Sequence, residues 1–395
     1  MGWEHIPHNW PRLGDADEQN VLACLRSGRF WRGDGRLVVE LERQFAEMHG
    51  ARFGLALTNG THALEVALAA AGISYGDEVL VPAFTFMSSA TAVLFRNALP
   101  IPVDVNADDY CIDVAQIEPL ITARTKAIMP VHMSGQACEM DKIRDLAARY
   151  GLAVVEDCAH AIDVGYHSER ESADLRLGAC GSAGCFSFQS SKVLVGGEGG
   201  MLLTDNADLY RRALSFSNYG WIPDGMPYDH FMVASNYRMP ELTAALLMGQ
   251  LPRLASFKAE RHRNISLAEQ ILDQFGTVSF QRSNPTTINH GHFYFIIVMA
   301  ELAGAARDQL VDGLVSRGIP ARRVYPSFHR TRMFQTLAAQ CPHMARLEHF
   351  PHYASMNTPV SDFVAEHGLW IPHWFFLDGK SAEKIEAALR ELGVS

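Results

Sequence analysis

The chain has 395 residues, of which 48% are hydrophobic and 20% are charged, and its formal net charge is −10. Single hydrophobic cores stop growing at roughly 250–300 residues, so we expect two domains. The composition excludes a disordered, collagen-like or coiled-coil protein. The acidic balance disfavours nucleic-acid binding, which needs a basic face. The longest apolar run, residues 293–300, is too short to predict a membrane span.

The N-terminal residues and the cysteines bear on the cellular compartment of the protein. The N-terminal residues lack the basic start and apolar stretch of a signal peptide. The seven cysteines are odd in number and contain no Cys-x-x-Cys pair, so we expect free thiols and a cytoplasmic protein. His343, His349 and His352 match no standard zinc spacing, and we expect no metal site.

Helices and strands alternate through the first part of the chain. In chain order we predict a helix at 62–71, a strand at 78–82, a helix at 85–97, a strand at 99–105, a helix at 114–122, a strand at 126–132, a helix at 139–150 and a strand at 152–157. This alternation predicts right-handed crossovers and a mostly parallel sheet, and short apolar strands predict cover on both faces. We therefore expect a three-layer α/β domain over residues 1–255.

The pattern changes in the second part of the chain. We predict two long helices across 241–275 with a break at Pro252, strands at 277–281 and 293–299, a helix at 304–317, a strand at 319–325 and a helix at 381–392. The mixture predicts a smaller α+β domain over residues 256–395, with the boundary between about 250 and 260.

Two groups of polar residues fall at the predicted ends of strands, where open parallel sheets bind ligands. Residues 58–61, Thr-Asn-Gly-Thr, offer backbone N–H groups and a hydroxyl to an anion at the start of a helix. A plain helix cap is the alternative interpretation. Glu156 and Asp157 end an apolar strand, where a buried acid needs a partner such as a cationic ring nitrogen. A helix N-cap is the alternative there, and His160 either supports this acid or packs in the core.

The third group surrounds a single lysine. Lys192 lies in an apolar, hydroxyl-rich stretch, and residues 196–200 contain four glycines. That density of glycine costs folding entropy and suggests backbone close to a site. A partly buried lysine has a lowered pKa and forms Schiff bases, whereas a flexible surface loop is the alternative. Together, a phosphate cradle, a strand-end acid and this lysine are the parts that hold pyridoxal 5′-phosphate.

Nearly the whole chain resembles the DegT/StrS-type aminotransferases. The resemblance is carried by residues 59–64, 76–79, 81–86, 125–128, 130–132, 156–161, 186–188, 192, 197–200 and 236–239. It implies a fold-type I architecture, similar to that of aspartate aminotransferase. Residues 187–189, 235–236, 329–331 and 369–374 resemble the cyclitol branch, which includes glutamine:scyllo-inosose aminotransferases and 3-amino-5-hydroxybenzoate synthase.

The resemblance also implies a role for each site residue. Lys192 is the Schiff-base lysine that moves the proton, and Asp157 is the partner of the pyridine nitrogen. Phe86 stacks on the cofactor ring. The phosphate contacts are Gly60, Thr61 and Ser187, with Asn236 reaching the phosphate of the other subunit of a homodimer. Gln189 and His160 lie near the cofactor.

The implied activity is ping-pong transamination from an amino acid, L-glutamine before L-glutamate, to a keto-cyclitol or keto-sugar. Some members of the family carry histidine in place of the lysine and act as dehydratases, and Lys192 favours transamination here. A lyase or aminodehydratase on the same fold and a non-catalytic sugar-binding regulator remain as alternatives. A nucleotide-dependent oxidoreductase is disfavoured, because no Gly-x-Gly-x-x-Gly turn follows a strand.

Overall fold

The computed structural model describes residues 10–221, 226 and 228–394. The strands are β1 Phe53–Leu57, β2 Glu78–Pro82, β3 Leu99–Val103, β4 Thr125–Ile128, β5 Ala153–Asp157, β6 Gly165–Tyr166, β7 Leu175–Arg176, β8 Ala183–Ser187, β9 Gly200–Thr204, β10 Ser279–Phe280, β11 Thr287–Ile288, β12 Tyr294–Val298, β13 Arg322–Arg323 and β14 Gly368–Pro372. The helices are α1 Asp15–Ser27, α2 Leu37–His49, α3 Gly60–Ala70, α4 Met87–Phe95, α5 Met140–Tyr150, α6 Ala207–Phe216, α7 Glu241–Gln250, α8 Leu254–Leu272, α9 Ala305–Ser316, α10 Arg332–Gln335, α11 Leu337–Gln340, α12 Pro359–His367 and α13 Ser381–Glu391.

Within the described residues, seven strands form one large sheet in the order β1-β9-β8-β5-β4-β2-β3. The pairs from β8 to β3 are parallel, whereas β9 is antiparallel to both of its neighbours. A parallel neighbour requires a crossover connection, usually with a helix. The chain instead returns from β8 to β9 through the loop of residues 188–199, so β9 runs in the opposite direction. The predicted mostly parallel sheet is confirmed.

Helices cover both faces of this sheet. Neighbouring residues on one strand point to opposite faces: Leu80 packs with α2 and α5, while Val79 and Val81 pack with α3, α4 and α6. These strands are buried on both faces, which explains their continuous apolar sequences. The predicted three-layer α/β architecture is confirmed.

A second sheet, in the order β10-β12-β14-β13, is antiparallel throughout. Helices α8, α9 and α13 pack against it through a separate apolar cluster that includes Ile265, Leu314 and Ile385. This is the expected α+β part. The division into domains 1–255 and 256–395 remains a prediction, and residues 1–9 and 395 at its outer ends lie outside the described residues.

Several predicted elements differ from the structure. Residues 114–122 form two 3-10 turns, Val114–Gln116 and Glu118–Leu120, in place of the predicted helix. Pro119 lacks the N–H that an α-helix interior needs. The strand predicted at 319–325 is reduced to β13, and the one at 277–281 to β10. No helix of the described residues is both long and apolar enough to cross a membrane.

Candidate functional site

Asp157 lies at the carboxyl end of β5, near the middle of the large sheet. Its side chain is buried. Oδ2 accepts a hydrogen bond of 2.8 Å from the Ser89 hydroxyl, and Oδ1 accepts one of 3.1 Å from the backbone N–H of Ala159. Since Ser89 gives its only proton to Asp157, Thr85 donates in turn to the Ser89 oxygen, at 2.8 Å. Both donors to Asp157 are neutral, so they orient the carboxylate without neutralising its charge.

The turn before α3 lies beside the end of β8. Asn59 caps the helix, because its Oδ1 accepts from the backbone N–H of His62 at 2.8 Å. Thr61 Oγ1 donates to Ser88 Oγ at 2.8 Å. A Cβ on Gly60 would lie only 2.7 Å from the Cβ of Ser187. A helix N-terminus, a hydroxyl and a second serine therefore converge without room for a side chain, which is an arrangement suited to a phosphate.

Lys192 lies in the loop between β8 and β9. Its backbone N–H donates to the Gln189 carbonyl at 2.8 Å, and its Nζ lies 4.4 Å from the ring centroid of Phe293. Gln189 Oε1 accepts from both the backbone N–H and the hydroxyl of Ser191, each at 2.7 Å. The Gln189 side chain thus holds the turn that leads into Lys192. The structure brings these residues together at the same edge as Asp157.

His160 is buried next to this lysine. Its Nδ1 accepts a hydrogen bond of 3.3 Å from the backbone N–H of Ser134, so the proton of the neutral ring is on Nε2. Burial, followed by the charge of Lys192, holds the pKa of His160 well below its usual value. The ring stacks on Phe293 with centroids 4.2 Å apart. Phe293 therefore contacts both functional side chains.

Sequence analysis did not identify Phe293 as a site residue. It lies immediately before β12, in the apolar run 293–300, where its pattern is that of any buried strand residue. His373 also stacks on it, with centroids 5.4 Å apart. In the sequence, His373 was noted only as part of the segment 369–374 that resembles the cyclitol branch, and no role was assigned to it.

The remaining predicted residues lie nearer to solvent. Phe86 precedes α4, is 50% exposed, and its ring centroid lies 5.5 Å from that of Tyr325. Asn236 is exposed, and its Oδ1 accepts from the backbone N–H of Arg238 at 3.2 Å. This hydrogen bond orients the carbonyl end of the Asn236 side-chain amide.

Glu156, next to Asp157, has a different role. Its carboxylate accepts backbone N–H groups of Gly178, Cys180 and Gly181 at 2.9, 2.9 and 2.6 Å, and it lies 3.0 Å from His132 Nε2. Glu156, His132 and Cys158 are close enough together to hold a metal ion. However, both carboxylate oxygens are already used to fix the chain before β8, which is a structural role.

A model of the DegT/DnrJ/EryC1/StrS aminotransferase family matches residues 11–390. The chain belongs to this family. It is a pyridoxal 5′-phosphate-dependent aminotransferase, and the predictions of enzyme class and cofactor are confirmed. The resemblance inferred from the sequence motifs is confirmed as well.

Individual relatives cover nearly the whole chain. One is 3-amino-5-hydroxybenzoate synthase of Amycolatopsis mediterranei, 33% identical over 94% of this chain and 93% of the relative. Another is GDP-perosamine synthase of Caulobacter vibrioides, 33% identical over 97% and 96%. A third, from Streptoalloteichus tenebrarius, is named "Putative L-glutamine:3-amino-2,3-dideoxy-scyllo-inosose aminotransferase" and is 32% identical over 92% and 88%. The crystal structure of 3-amino-5-hydroxybenzoic acid synthase superimposes with a TM-score of 0.87, at 32% identity over 97% of this chain and 98% of that one.

The residues at this edge of the large sheet fit pyridoxal 5′-phosphate in three respects. The turn at Gly60 has no room for a Cβ, and it begins a helix whose first N–H groups suit a phosphate. Asp157 holds an oriented charge that suits a cationic ring nitrogen. Lys192 lies in a loop anchored at both ends of its turn, with an aromatic ring under its amine. These three observations concern this chain's own geometry, and they are independent of the comparisons.

Proposed function

We propose that this aminotransferase moves the amino group of L-glutamine to a keto-cyclitol or keto-sugar by a ping-pong mechanism. The convergence of Lys192, Asp157 and the Gly60 turn at one sheet edge carries the proposal. When bound, pyridoxal phosphate would carry the amino group and draw electrons from the donor's Cα. The amino-acid and ketone half-reactions use the same residues in opposite directions.

Lys192 is the proposed acid and base. Its amine would take the proton from Cα of the amino-acid donor and return it at C4′ of the cofactor. The face of the Phe293 ring lies 4.4 Å from Nζ, and a cation there is attracted by the ring quadrupole. This contact supports a fixed position for the Lys192 amine.

Asp157 is the proposed partner of the pyridine nitrogen. A carboxylate beside a cation favours the charged form of both groups, so Asp157 would keep that nitrogen protonated. Ser89 and the N–H of Ala159 fix the two oxygens and prevent rotation of the carboxylate. A protonated ring nitrogen makes the cofactor a stronger electron acceptor.

The other contacts are proposed to hold and orient the cofactor. Gly60, Thr61 and Ser187 would bind its phosphate, and Phe86 would cover one face of its ring. His160, with its proton on Nε2, can donate to an oxygen of the cofactor ring. Gln189 supports the turn before Lys192, and it would lie close to the same ring.

A homodimer is part of the proposal. The segment that ends at Asn236 exposes large apolar side chains: Tyr219, Met226, Tyr228, Phe231, Met232 and Val233. Tyr228 is 92% exposed and Val233 is 98% exposed. Large apolar patches on soluble proteins mark interaction sites. A second copy that covers this segment would also receive Asn236 at its own phosphate site, as the family resemblance implies.

Glutamine as donor is supported by the relative whose printed name includes L-glutamine. The GDP-perosamine synthase relative supports a nucleotide-linked keto-sugar as the alternative acceptor. A second candidate activity, amino transfer followed by loss of water, is favoured by the relative named 3-amino-5-hydroxybenzoate synthase. That name describes an amine on an aromatic ring, and a hydroxylated keto-carbocycle can become aromatic by losing water. We place the enzyme in the cytoplasm, with seven free thiols.

The visible absorption of the cofactor-loaded protein tests this function. L-Glutamine should bleach the yellow band and produce the absorption of the aminated cofactor, whereas L-glutamate should act more slowly. A ketone added afterwards should restore the yellow band, and mass spectrometry of the product shows whether water has been lost. A band that no amino acid alters would contradict transamination. Faster bleaching by L-glutamate would assign the donor to glutamate.

A further inference from the structure

One peptide unit lies immediately before the functional lysine and is held at both ends. Its N–H is that of Lys192 and donates to the Gln189 carbonyl at 2.8 Å. Its carbonyl belongs to Ser191 and accepts a hydrogen bond of 2.9 Å from Nε2 of His373. A peptide unit is planar. Fixing its carbonyl and its N–H therefore fixes the direction in which Cα of Lys192 leaves the loop.

His373 lies just beyond the four-stranded sheet β10-β12-β14-β13, called the small sheet, and is 182 residues from Ser191 along the chain. It directly follows β14 and is fully buried. Its backbone N–H donates to the Phe293 carbonyl at 3.0 Å, and its ring stacks on Phe293. Phe293 in turn lies under Nζ of Lys192. The pair thus acts on the lysine at two points. His373 bonds to the peptide unit before Lys192, and Phe293 contacts the Lys192 amine.

The surroundings of His373 favour a neutral ring, and its hydrogen bond decides which nitrogen carries the proton. A carbonyl oxygen only accepts hydrogen bonds, so Nε2 must carry the proton. The groups that face the ring are Arg261 of α8, Lys192, Phe293 and the edge-on ring of Trp10. Burial, followed by Arg261 and Lys192, holds the pKa of His373 well below its usual value. The neutral ring with a proton on Nε2 is the form that can hold Ser191.

Arg261 is itself fixed in the interior. It is 2% exposed, and its Nη2 donates to the Gly291 carbonyl at 3.0 Å, two residues before Phe293. Within the part of the chain that the structure describes, no carboxylate forms an ion pair with Arg261. Its positive charge therefore acts on the neighbouring His373 without being neutralised, and opposes a second proton on that ring.

We propose that His373 is a positioning residue: its bond to the Ser191 carbonyl, together with Phe293, fixes Lys192 for proton transfer. The proposal rests on the function proposed above for Lys192. It assigns a role in the reaction to a residue of the small sheet that does not touch the reacting atoms. A small displacement of this sheet would therefore displace the backbone at Lys192 through the hydrogen bond between His373 and Ser191.

Two variants of matched length test the proposal. His373→Gln keeps an N–H donor near the position of Nε2, whereas His373→Met has similar length and no donor. Hydrogen exchange of the Lys192 amide in the cofactor-free protein should be about 10-fold faster in H373M, because a lost hydrogen bond of ordinary strength corresponds to roughly that factor.

The rate of the reaction is the second measurement. In the cofactor-loaded H373M, the rate of bleaching by the donor should fall by about 10- to 100-fold, because a catalytic group that is misplaced loses roughly that factor. H373Q should restore both quantities to within about 3-fold of the wild type, which is less than 1 kcal/mol.

His49→Met is the control for losing a buried histidine. His49 is buried on α2 and bonds to Phe45 and Asp163. H49M should lose thermal stability without changing exchange at Lys192. Wild-type exchange and bleaching in H373M would overturn the proposal, and so would an H373Q that behaves as H373M. If H373M is unfolded while H373Q is folded and active, the bond between His373 and Ser191 has only a structural role, and the proposal is overturned. A wild type that reacts with no donor would refute the proposed function, while the exchange data would still decide the role of His373 in holding the loop.

Discussion

Two regions around the aminotransferase site are built in opposite ways. Asp157, His160 and Ser191 are buried, and each has hydrogen-bond partners within the chain. The described residues of the segment 219–236 instead include exposed apolar side chains and end in the exposed Asn236. The contrast indicates that the region around Lys192 is organised by the chain's own core, whereas the segment that ends at Asn236 is where the proposed second copy would lie. Substitutions should therefore act differently in the two regions.

Lys192 gives the largest expected effect in the buried region. Lys192→Ala should reduce amino transfer by about 10⁴-fold or more, because acid–base catalysis by a placed group contributes up to about that factor. Phosphate contacts should still retain the cofactor, although without the yellow band of its bond to lysine. The exposed Lys126, which donates to the nearby Ala123 carbonyl, supplies the control Lys126→Ala. Normal turnover by K192A would refute its assignment.

Asp157 should give the next largest effect. Asp157→Asn keeps the shape of the side chain but removes its charge, and we expect a loss on the order of 10²- to 10³-fold in kcat, as for other electrostatic contacts. Ser89→Ala should cost about 10-fold, because it removes one hydrogen bond to a charged group. Single-turnover bleaching with the donor measures both. Equal effects of D157N and S89A would show that orientation, not charge, is what Asp157 provides.

Val233 tests the exposed region. Val233→Glu places a charge in the proposed contact and should produce monomers with weak cofactor binding, although the buried region stays folded. Val315→Glu introduces the same change at a half-exposed position on α9 and should leave the oligomeric state unchanged. Size-exclusion chromatography with light scattering measures the mass. A wild type that is monomeric and active would separate Asn236 from catalysis.

The pH dependence of stability gives the smallest effect and belongs to the buried region. Burial lowers the pKa of His49 to about 4 and of His290 to about 3. Below pH 6.5 the unfolded chain then binds more protons than the folded one, so this stability is present above pH 6.5 and is lost as the pH falls. Each such histidine should contribute about 1.4 kcal/mol per pH unit over that window. Urea unfolding at pH 7.5, 6 and 5 measures the slope, and a free energy of unfolding that is flat across this range would contradict the prediction.

The sequence by itself determined the parts of the fold and site that depend on local patterns. The alternation of helices and strands predicted the parallel sheet, because parallel neighbours need a crossover connection. The continuous apolar strands predicted cover on both faces, because a strand buried on both faces must be apolar along its length. Strand ends and glycine density pointed to Gly60, Asp157 and Lys192, because turns and cradles need particular residues at particular positions. Residues 114–122 were misassigned as a helix, although Pro119 was visible in the sequence and explains the 3-10 turns.

Only the tertiary structure decided which distant residues support the lysine. Phe293 has the pattern of an ordinary core residue, and the motif that contains His373 does not show that its ring lies beside the lysine loop. Pairing of β12 with β14 places them side by side, and packing of the small sheet against the loop 188–199 brings them to Lys192. Such contacts arise from the closure of long loops, so their geometry is not encoded in any short window of sequence.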